Sequence, residues 1–177
     1  MKNKWLKSFK NLDDLNKILE DLDNSIKIVY TYGAWDLLHP GHIHLLSRAK
    51  MLGDFLIAGV VSDEPIKELK GNERPVQAQD ERLITIGSLR CVDAAISQPK
   101  YDPSDQLKYL KRVDILTKGL LGEEGKGKIA AVRTLLSNPK VNKETIEKLG
   151  GELITFNYTK GFSTSSIVGK LQKSEEL

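Results

Sequence analysis

The sequence predicts an α/β protein in which about five parallel strands form a doubly wound sheet within a single domain, residues 1–177. Segments typical of strands and of helices alternate along the chain, which favours a parallel sheet covered by helices. One run, residues 55–61, is apolar without interruption, as in a strand buried on both faces. The chain has 177 residues, 40% hydrophobic and 29% charged, which suits one globular domain with its own core.

The first segments predict a helix, a strand and a second helix. Apolar residues at helical spacing predict an amphipathic helix over residues 12–22, inside an N-terminal helical extension of residues 1–25. β-Branched and aromatic residues predict a strand over residues 26–32. The apolar spacing of residues 42–52, followed by the stop residue Gly53, predicts the next helix.

The middle of the chain repeats this alternation. The apolar strand over residues 55–61 is followed by Ser62-Asp63-Glu64-Pro65, which is typical of a helix start. Glycine and proline indicate a loop over residues 70–78. A helix is expected from about Asp80 to Leu89, and a short strand over residues 92–96.

The last third adds two strands. We expect a helix from Pro103 to near Lys111, a strand over residues 113–117 and a strand over residues 152–156. Residues 120–150 are interpreted as a helical insertion with helices over 126–136 and 142–149. A final helix is expected after Ser163. The whole order is that of a Rossmann-like sheet.

Composition limits the function classes. There are 27 lysines and arginines against 24 acidic residues, a net charge of +3, and no arginine-rich stripe, so nucleic acid is not expected as a partner. No apolar run reaches membrane-spanning length and the N-terminus lacks an export segment, so we expect no membrane association and a cytoplasmic protein. Cys91, the only cysteine, is interpreted as a small buried residue.

The most informative motif is His39-Pro40-Gly41-His42, which lies between a predicted strand and a predicted helix. Backbone N–H groups and the helix dipole favour anions at a helix N-terminus, so two imidazoles there suit a phosphate chain. A metal pair is the alternative, but no matching cysteine or carboxylate cluster supplies further ligands. The chain has no Gly-x-Gly-x-x-Gly after its first strand, which argues against dinucleotide-dependent redox chemistry.

Other polar segments also follow predicted strands. They are residues 33–42, 62–63, 118–119 and 161–165. Because ligands of open parallel sheets bind beyond the carboxyl ends of the strands, we expect these segments to converge on one site.

These motifs together resemble a known enzyme family. The run from Tyr32 to His42, then Ser62-Asp63-Glu64, Lys70-Gly71…Arg74-Pro75, Glu81-Arg82 and Gly161–Ser165, resembles the nucleotidyltransferases with a His-x-Gly-His signature. That family includes cytidylyltransferases and heptose 1-phosphate adenylyltransferases. The resemblance implies that a substrate phosphate attacks the α-phosphorus of ATP or CTP, with Mg²⁺ on the triphosphate and pyrophosphate leaving. It also suggests a homodimer.

The resemblance and the residue types give a set of candidate site residues. As catalytic residues we expect His39, His42, Arg90 and Lys50, with both histidines contacting the triphosphate. Arg82 and Arg90 are eight residues apart on one predicted helix and are expected to face one site. The expected nucleotide-binding residues are Tyr32, Gly33, Ala34, Trp35, Gly41, Lys118, Ser163, Thr164 and Ser165. The expected acceptor-binding residues are Asp36, Asp63, Lys70, Arg74 and Arg82. No protein ligand for a metal is assigned.

The residues leave more than one nucleotide and more than one phosphorylated acceptor as candidate substrates. The first motif looks most like glycerol-3-phosphate cytidylyltransferases, whereas the loop after Leu69 fits heptose 1-phosphate adenylyltransferases. An arginine usual in cytidylyltransferases is missing near Tyr158, and an expected aspartate is replaced at Leu120. We favour adenylyl transfer to a small sugar or polyol phosphate. The alternatives are cytidylyl transfer to glycerol 3-phosphate or an alkanolamine phosphate, and a non-catalytic nucleotide-binding regulator.

Overall fold

A six-stranded parallel sheet forms the centre of the protein. The computed structural model describes residues 7–119, 138–157, 159 and 161–174. The strands are β1 (Ser8–Phe9), β2 (Ile28–Gly33), β3 (Phe55–Val61), β4 (Ala94–Gln98), β5 (Ile115–Gly119) and β6 (Glu152–Phe156). Their order across the sheet is β1-β4-β3-β2-β5-β6. The parallel α/β prediction is confirmed, with one strand more than expected.

The extra strand is β1, which the sequence could not reveal. It has two residues, and Ser8 and Phe9 pair with Ala95 and Ile96 of β4. Two residues are too few for an alternating pattern, so only the pairing with β4 identifies this edge strand.

Seven helices cover the sheet within the described residues. They are α1 (Leu12–Asp21), α2 (Pro40–Lys50), α3 (Asp63–Lys70), α4 (Gln79–Gly87), α5 (Ser104–Leu107), α6 (Pro139–Lys148) and α7 (Thr164–Ser174). One core cluster packs α1, α5 and α6 against one face of the sheet. The other packs α2 and α4 against the opposite face. Burial from both sides explains the apolar run of β3, where residues 56–61 are all buried.

Several predicted helix bounds were wrong. Helix α4 ends at Gly87, before Arg90, and α5 ends at Leu107 rather than near Lys111. Helix α2 begins at Pro40, because proline suits the first turn of a helix. Helix α6 begins at Pro139, where the Asn138 side chain accepts a hydrogen bond from the N–H of Lys140. Residues 120–137, with the expected 126–136 helix and Leu120, lie outside the described residues.

Candidate active site

The strand order reverses beside β2. The chain continues from β2 to β3 and β4 on one side, whereas β5 and β6 lie on the other side. Thr31 of β2 pairs with Thr117 of β5, so the two strands end side by side at Gly33 and Gly119. Ligands of open α/β sheets bind at such a reversal, beyond the carboxyl ends of the strands. The loop after β2 carries the histidine motif to this position.

His39 and His42 form a stacked pair at the N-terminus of α2. Their ring centroids are 3.7 Å apart with an interplanar angle of 22°. His39 is the N-cap residue, and its carbonyl accepts hydrogen bonds from the N–H groups of His42 at 2.9 Å and Ile43 at 3.2 Å. The first turn of the helix therefore fixes the spacing of both rings. His44 is exposed and lies outside this pair.

Trp35 packs against the stacked histidine pair through the His42 ring. The His42 ring meets the Trp35 ring edge-on, with centroids 5.4 Å apart and planes at 75°. The Trp35 indole is buried and its Nε1 donates a hydrogen bond to the Gly59 carbonyl at 2.9 Å. The buried and hydrogen-bonded Trp35 indole therefore fixes one side of the His42 ring. Its indole is packed in the core, which differs from the predicted contact with a nucleotide.

Both glycines of the motif region are required by close contacts. A Cβ atom on Gly41 would lie 3.0 Å from the His39 ring, and a Cβ on Gly33 would lie 3.1 Å from the Trp35 ring. A side chain at Gly41 would require the His39 imidazole to shift by a few tenths of an ångström. The two glycines therefore act by leaving room for these rings.

His39 lies in an environment that favours the neutral imidazole. Burial first, and the nearby positive charge of Lys70 second, lower the pKa of His39 below its usual 6.5. Its Nδ1 is buried and takes no hydrogen-bond partner among the described residues. Two imidazoles stacked this closely also repel when both are protonated. An anion bound beside the two imidazoles would oppose these effects and favour their protonation.

This depressed pKa predicts a pH dependence of stability. Above the usual histidine pKa of 6.5 both the folded and unfolded states hold neutral His39. As the pH falls below that value the unfolded state takes up the proton first, so the free energy of unfolding decreases until the lower folded-state pKa is passed. We expect His39→Gln to show a smaller loss of stability between pH 8 and pH 5, measured by urea unfolding. Identical pH dependence in the two proteins would contradict the assigned environment of His39.

The loop after β6 reaches the histidine motif, as the sequence predicts. A Cβ on Gly41 would lie 3.4 Å from Cβ of Phe162. The Thr164 hydroxyl donates a hydrogen bond to the Asp36 carbonyl at 2.8 Å, and the Ser163 hydroxyl accepts one from the Ser166 N–H at 3.1 Å. Residues 161–165 therefore begin helix α7 against the N-terminus of α2. The Thr164 hydroxyl serves this junction, and Ser165 is exposed.

Asp36 fixes the loop between β2 and α2. Its buried carboxylate accepts hydrogen bonds from Arg74 Nε at 3.0 Å and Nη2 at 2.8 Å. The other oxygen accepts from the N–H groups of Val76 at 3.0 Å and Gln77 at 3.1 Å. This pairing serves the loop structure, which differs from the acceptor-binding role predicted for Asp36 and Arg74. The two groups neutralise each other within the protein.

Arg82 makes a second buried connection between loops. Its guanidinium is fully buried, forms an ion pair with Asp63, and donates to the carbonyls of Ala34, Val61 at 2.8 Å and Gln77 at 3.0 Å. These contacts join the loops after β2 and β3 to the start of α4. The Arg82 guanidinium is therefore held within the protein and Asp63 is its ion-pair partner, while the acceptor-binding role of both residues stays a prediction.

Two residues that were predicted to be catalytic lie far from the histidine pair, at the other end of the strands. Lys50 ends α2 and pairs with Asp93 at 2.7 Å, just before β4 begins. Arg90 follows the end of α4, is exposed and also precedes β4. Helices α2 and α4 return the chain to the amino ends of the strands, so both cations are carried away from the histidines. For Arg90, the predicted helix extended past the true end of α4 at Gly87.

Lys70 is the predicted acceptor residue whose charge acts on His39. It ends α3, is half-buried and lowers the pKa of His39. Lys118, one residue before the end of β5, is also half-buried at this end of the sheet. The Tyr32 hydroxyl instead points into the core and donates to Asn142 at 2.9 Å.

Sequence reasoning named Trp35 as a site residue but missed its backbone conformation, and it missed Leu37, Gln77 and Gln79. Trp35 and Leu37 adopt left-handed backbone conformations, with φ of 54° and 47°. The Gln77 side chain accepts the Leu37 N–H at 3.0 Å. Gln79 donates to the Val60 carbonyl at 3.1 Å. These contacts join segments about 20 to 40 residues apart and leave no local sequence signal.

Within the part of the chain that the structure describes, no group of three or more histidine, cysteine, aspartate or glutamate side chains could hold a metal ion. None of the described helices is both long and apolar enough to span a membrane.

Comparison with known proteins places this geometry in context. A family model described as cytidylyltransferase-like matches residues 30–170. Bifunctional protein HldE of Helicobacter pylori (strain P12) is 37% identical over 161 residues, covering 90% of this chain and 31% of that protein. Bifunctional protein HldE of Helicobacter hepaticus is 35% identical over 164 residues, covering 92% and 30%. The chain thus spans about three-tenths of the length of these relatives.

Two solved structures share the fold. The lipopolysaccharide core biosynthesis protein from Thermoplasma volcanium GSS1 has a TM-score of 0.55 and 28% identity, covering 77% of this chain and 99% of that chain. Pantoate-beta-alanine ligase from Francisella tularensis, complexed with beta-gamma ATP and beta-alanine, has a TM-score of 0.59 and 16% identity, covering 96% and 78%. At that identity the second similarity concerns the fold alone.

Proposed function

Because the chain belongs to the cytidylyltransferase-like family of nucleotidyltransferases, we propose that it transfers an adenylyl group from ATP to a small sugar or polyol phosphate. A phosphate oxygen of the acceptor forms a bond to the α-phosphorus of ATP. The bond from that phosphorus to the bridging oxygen breaks, and pyrophosphate leaves with the electron pair. The observation that carries the proposal is the stacked histidine pair at the N-terminus of α2, beside the reversal of strand order.

The acceptor phosphate is already an anion, so the reaction needs no strong general base. Catalysis then depends on positioning and on neutralising charge in the transition state. Imidazole N–H groups of His39 and His42 would donate to the triphosphate, where charge develops on the leaving pyrophosphate. Binding of this anion would raise the depressed pKa of His39, so each ring would become a better donor as the nucleotide binds.

The surrounding elements suit this arrangement. Helix α2 directs its N-terminus toward the phosphates, and the start of α7 lies against it through Phe162 and Thr164. Lys70 acts on His39 and is the cation that we assign to a substrate phosphate. Asp36 and Asp63 each form an ion pair with an arginine, so their carboxylates do not provide a set of ligands for Mg²⁺. We therefore expect Mg²⁺ to arrive coordinated by the triphosphate oxygens.

Sequence features and one structural relative support the choice of ATP and of a sugar-derived acceptor. The loop from Leu69 to Val76 resembles heptose 1-phosphate adenylyltransferases, and the arginine usual in cytidylyltransferases is missing near Tyr158. A structural relative named for lipopolysaccharide core biosynthesis also favours a sugar phosphate over an alkanolamine phosphate.

A pyrophosphate-release assay tests the proposal. ATP and CTP, each with Mg²⁺, would be combined with a heptose 1-phosphate, other sugar 1-phosphates, glycerol 3-phosphate and phosphocholine. We expect release that requires both ATP and a sugar phosphate. Turnover with CTP and glycerol 3-phosphate would reassign the substrates, and tight nucleotide binding without turnover of any pair would identify a regulator.

A further inference from the structure

The loop between β2 and α2 contains two residues in a backbone conformation that side chains disfavour. Trp35 and Leu37 have φ of 54° and 47°, in the left-handed region. In this region the Cβ atom crowds the backbone, so most residues other than glycine adopt it rarely. Leu37 is two residues before His39, the N-cap residue of α2. Such a conformation persists when the surrounding structure holds it, so contacts from elsewhere in the protein fix this path.

The side chain of Gln77 supplies one of these contacts at Leu37. Its Oε1 accepts a hydrogen bond from the Leu37 N–H at 3.0 Å. Gln77 is half-buried in the loop between α3 and α4, 40 positions further along the chain. Because an amide hydrogen bond has a preferred direction, this bond favours one orientation of the peptide unit that joins residues 36 and 37.

The backbone of Gln77 is itself anchored at both of its polar groups. Its N–H donates to the Asp36 carboxylate at 3.1 Å, and its carbonyl accepts from Arg82 Nε at 3.0 Å. Asp36 is buried in its pair with Arg74, and Arg82 is fully buried. The fixed backbone holds the side-chain amide within reach of Leu37, which lowers the entropy cost of the bond between them.

The connection from Leu37 to the stacked histidine pair is short and closely packed. The His39 ring stacks on the His42 ring with centroids 3.7 Å apart. A Cβ atom on Gly41 would lie 3.0 Å from the His39 ring, so this ring has little free space on that side. Rotation of the peptide unit before Leu37 would displace the backbone of His39, two residues later, and would therefore disturb the stack.

We propose that Gln77 is a positioning residue for the reaction proposed above. Its Oε1 holds Leu37 in the left-handed conformation and thereby keeps His39 stacked on His42. Gln77 acts through the loop between β2 and α2, and its role requires no contact with either substrate. The effect of Gln77 on turnover rests on the proposed function, whereas its effect on the histidine rings is measurable without any substrate.

Proton NMR of the histidine rings in the full chain, without substrate, tests the positioning. The chain has three histidines, and variants His42→Ala and His44→Ala assign their signals. Rings stacked as closely as His39 and His42 shift each other's proton resonances. Gln77→Met removes the acceptor and keeps a side chain of similar size. We expect it to shift the ring signals of His39 and His42 and to leave those of exposed His44 in place.

Two further variants separate loss of the acceptor from other effects of the substitution. Gln77→Glu keeps an oxygen acceptor on a side chain of the same length, so its histidine signals should stay near those of the unmodified chain. Gln172→Met makes the same replacement at an exposed glutamine of α7. It should change neither the histidine signals nor turnover, because an exposed surface change has little effect.

Turnover provides the second measurement. Misplaced catalytic groups lower rates steeply, so Gln77→Met should lower kcat for pyrophosphate release about tenfold, with the KM for ATP changed less than about threefold. Gln77→Glu should recover most of this kcat. Urea unfolding gives the folded fraction of each variant, and a loss of stability alone would leave kcat per folded molecule unchanged.

The outcomes that contradict the proposal are distinct. Unchanged signals of His39 and His42 in folded Gln77→Met would overturn the positioning role. Shifted signals with an unchanged kcat would overturn its part in the reaction, and equal effects of Gln77→Met and Gln77→Glu would overturn the role of the acceptor. Absence of turnover by the unmodified chain with every substrate pair would instead refute the proposed function, and the ring signals would still decide whether Gln77 holds the pair.

Discussion

Replacing His42 with alanine is expected to lower turnover by about a hundredfold or more, with the fold intact. An imidazole that donates to charge developing on the leaving pyrophosphate acts mainly in the transition state, and loss of one such donor costs about 10²–10³ in kcat. The loss should appear in kcat more than in nucleotide affinity, because Lys70 and the N-terminus of α2 remain. Steady-state pyrophosphate release at saturating substrate measures it.

His44→Ala provides the matched control. It changes the same residue type on the same helix, two positions further on, at an exposed position outside the stacked pair. We expect turnover within about twofold of the unmodified chain, because an exposed surface change has little effect. Near-normal turnover by His42→Ala, or an equal loss in both variants, would refute the role assigned to His42.

Replacing Asp36 with alanine is expected to cost about 3–5 kcal/mol of unfolding free energy, because removing one partner of a buried ion pair leaves the other unpaired. Arg74 would remain largely buried, and the N–H groups of Val76 and Gln77 would lose their acceptor. Urea unfolding measures the effect. Activity should fall as well, because loss of the carboxylate contacts would let the loop shift, and the backbone carbonyl of residue 36 in that loop accepts the Thr164 hydroxyl at the start of α7.

Two variants separate charge from local structure in this prediction. Asp36→Asn keeps an oxygen for the backbone N–H groups and removes the charge, so its loss of stability should be intermediate. Asp80→Ala removes an exposed carboxylate that pairs with exposed Lys10, and should leave the unfolding midpoint nearly unchanged. A loss for Asp36→Ala as small as that for Asp80→Ala would show that the buried pair does not stabilise the loop.

Local patterns predicted most of the fold. The alternation of strands and helices, and the uninterrupted apolar run of β3, are consequences of burial on both faces of a parallel sheet. Strand β1 and the early end of α4 were not predictable, because pairing with β4 defines the first. For α4, the residues from Ser88 to Arg90 continue a helix-compatible pattern past its true end at Gly87.

The histidine site was also partly predictable from local sequence patterns. Its four-residue motif is local, so the sequence identified His39 and His42 and their place at a helix N-terminus. The predicted cations were less accurate, because a charged residue gives no sign of its partner. Arg74 pairs with the buried Asp36, buried Arg82 pairs with the half-buried Asp63, and Lys50 pairs with Asp93 at the other end of the strands.

The sequence by itself therefore determined the parallel α/β architecture and the histidine motif, since both follow from short-range periodicity and residue type. Only the tertiary structure decided which polar residues are available to a ligand. Asp36 and Arg74 are 38 positions apart, and they neutralise each other because the loop after α3 folds back onto the loop after β2. Pairing across such distances depends on three-dimensional contact, which no local pattern of residues encodes.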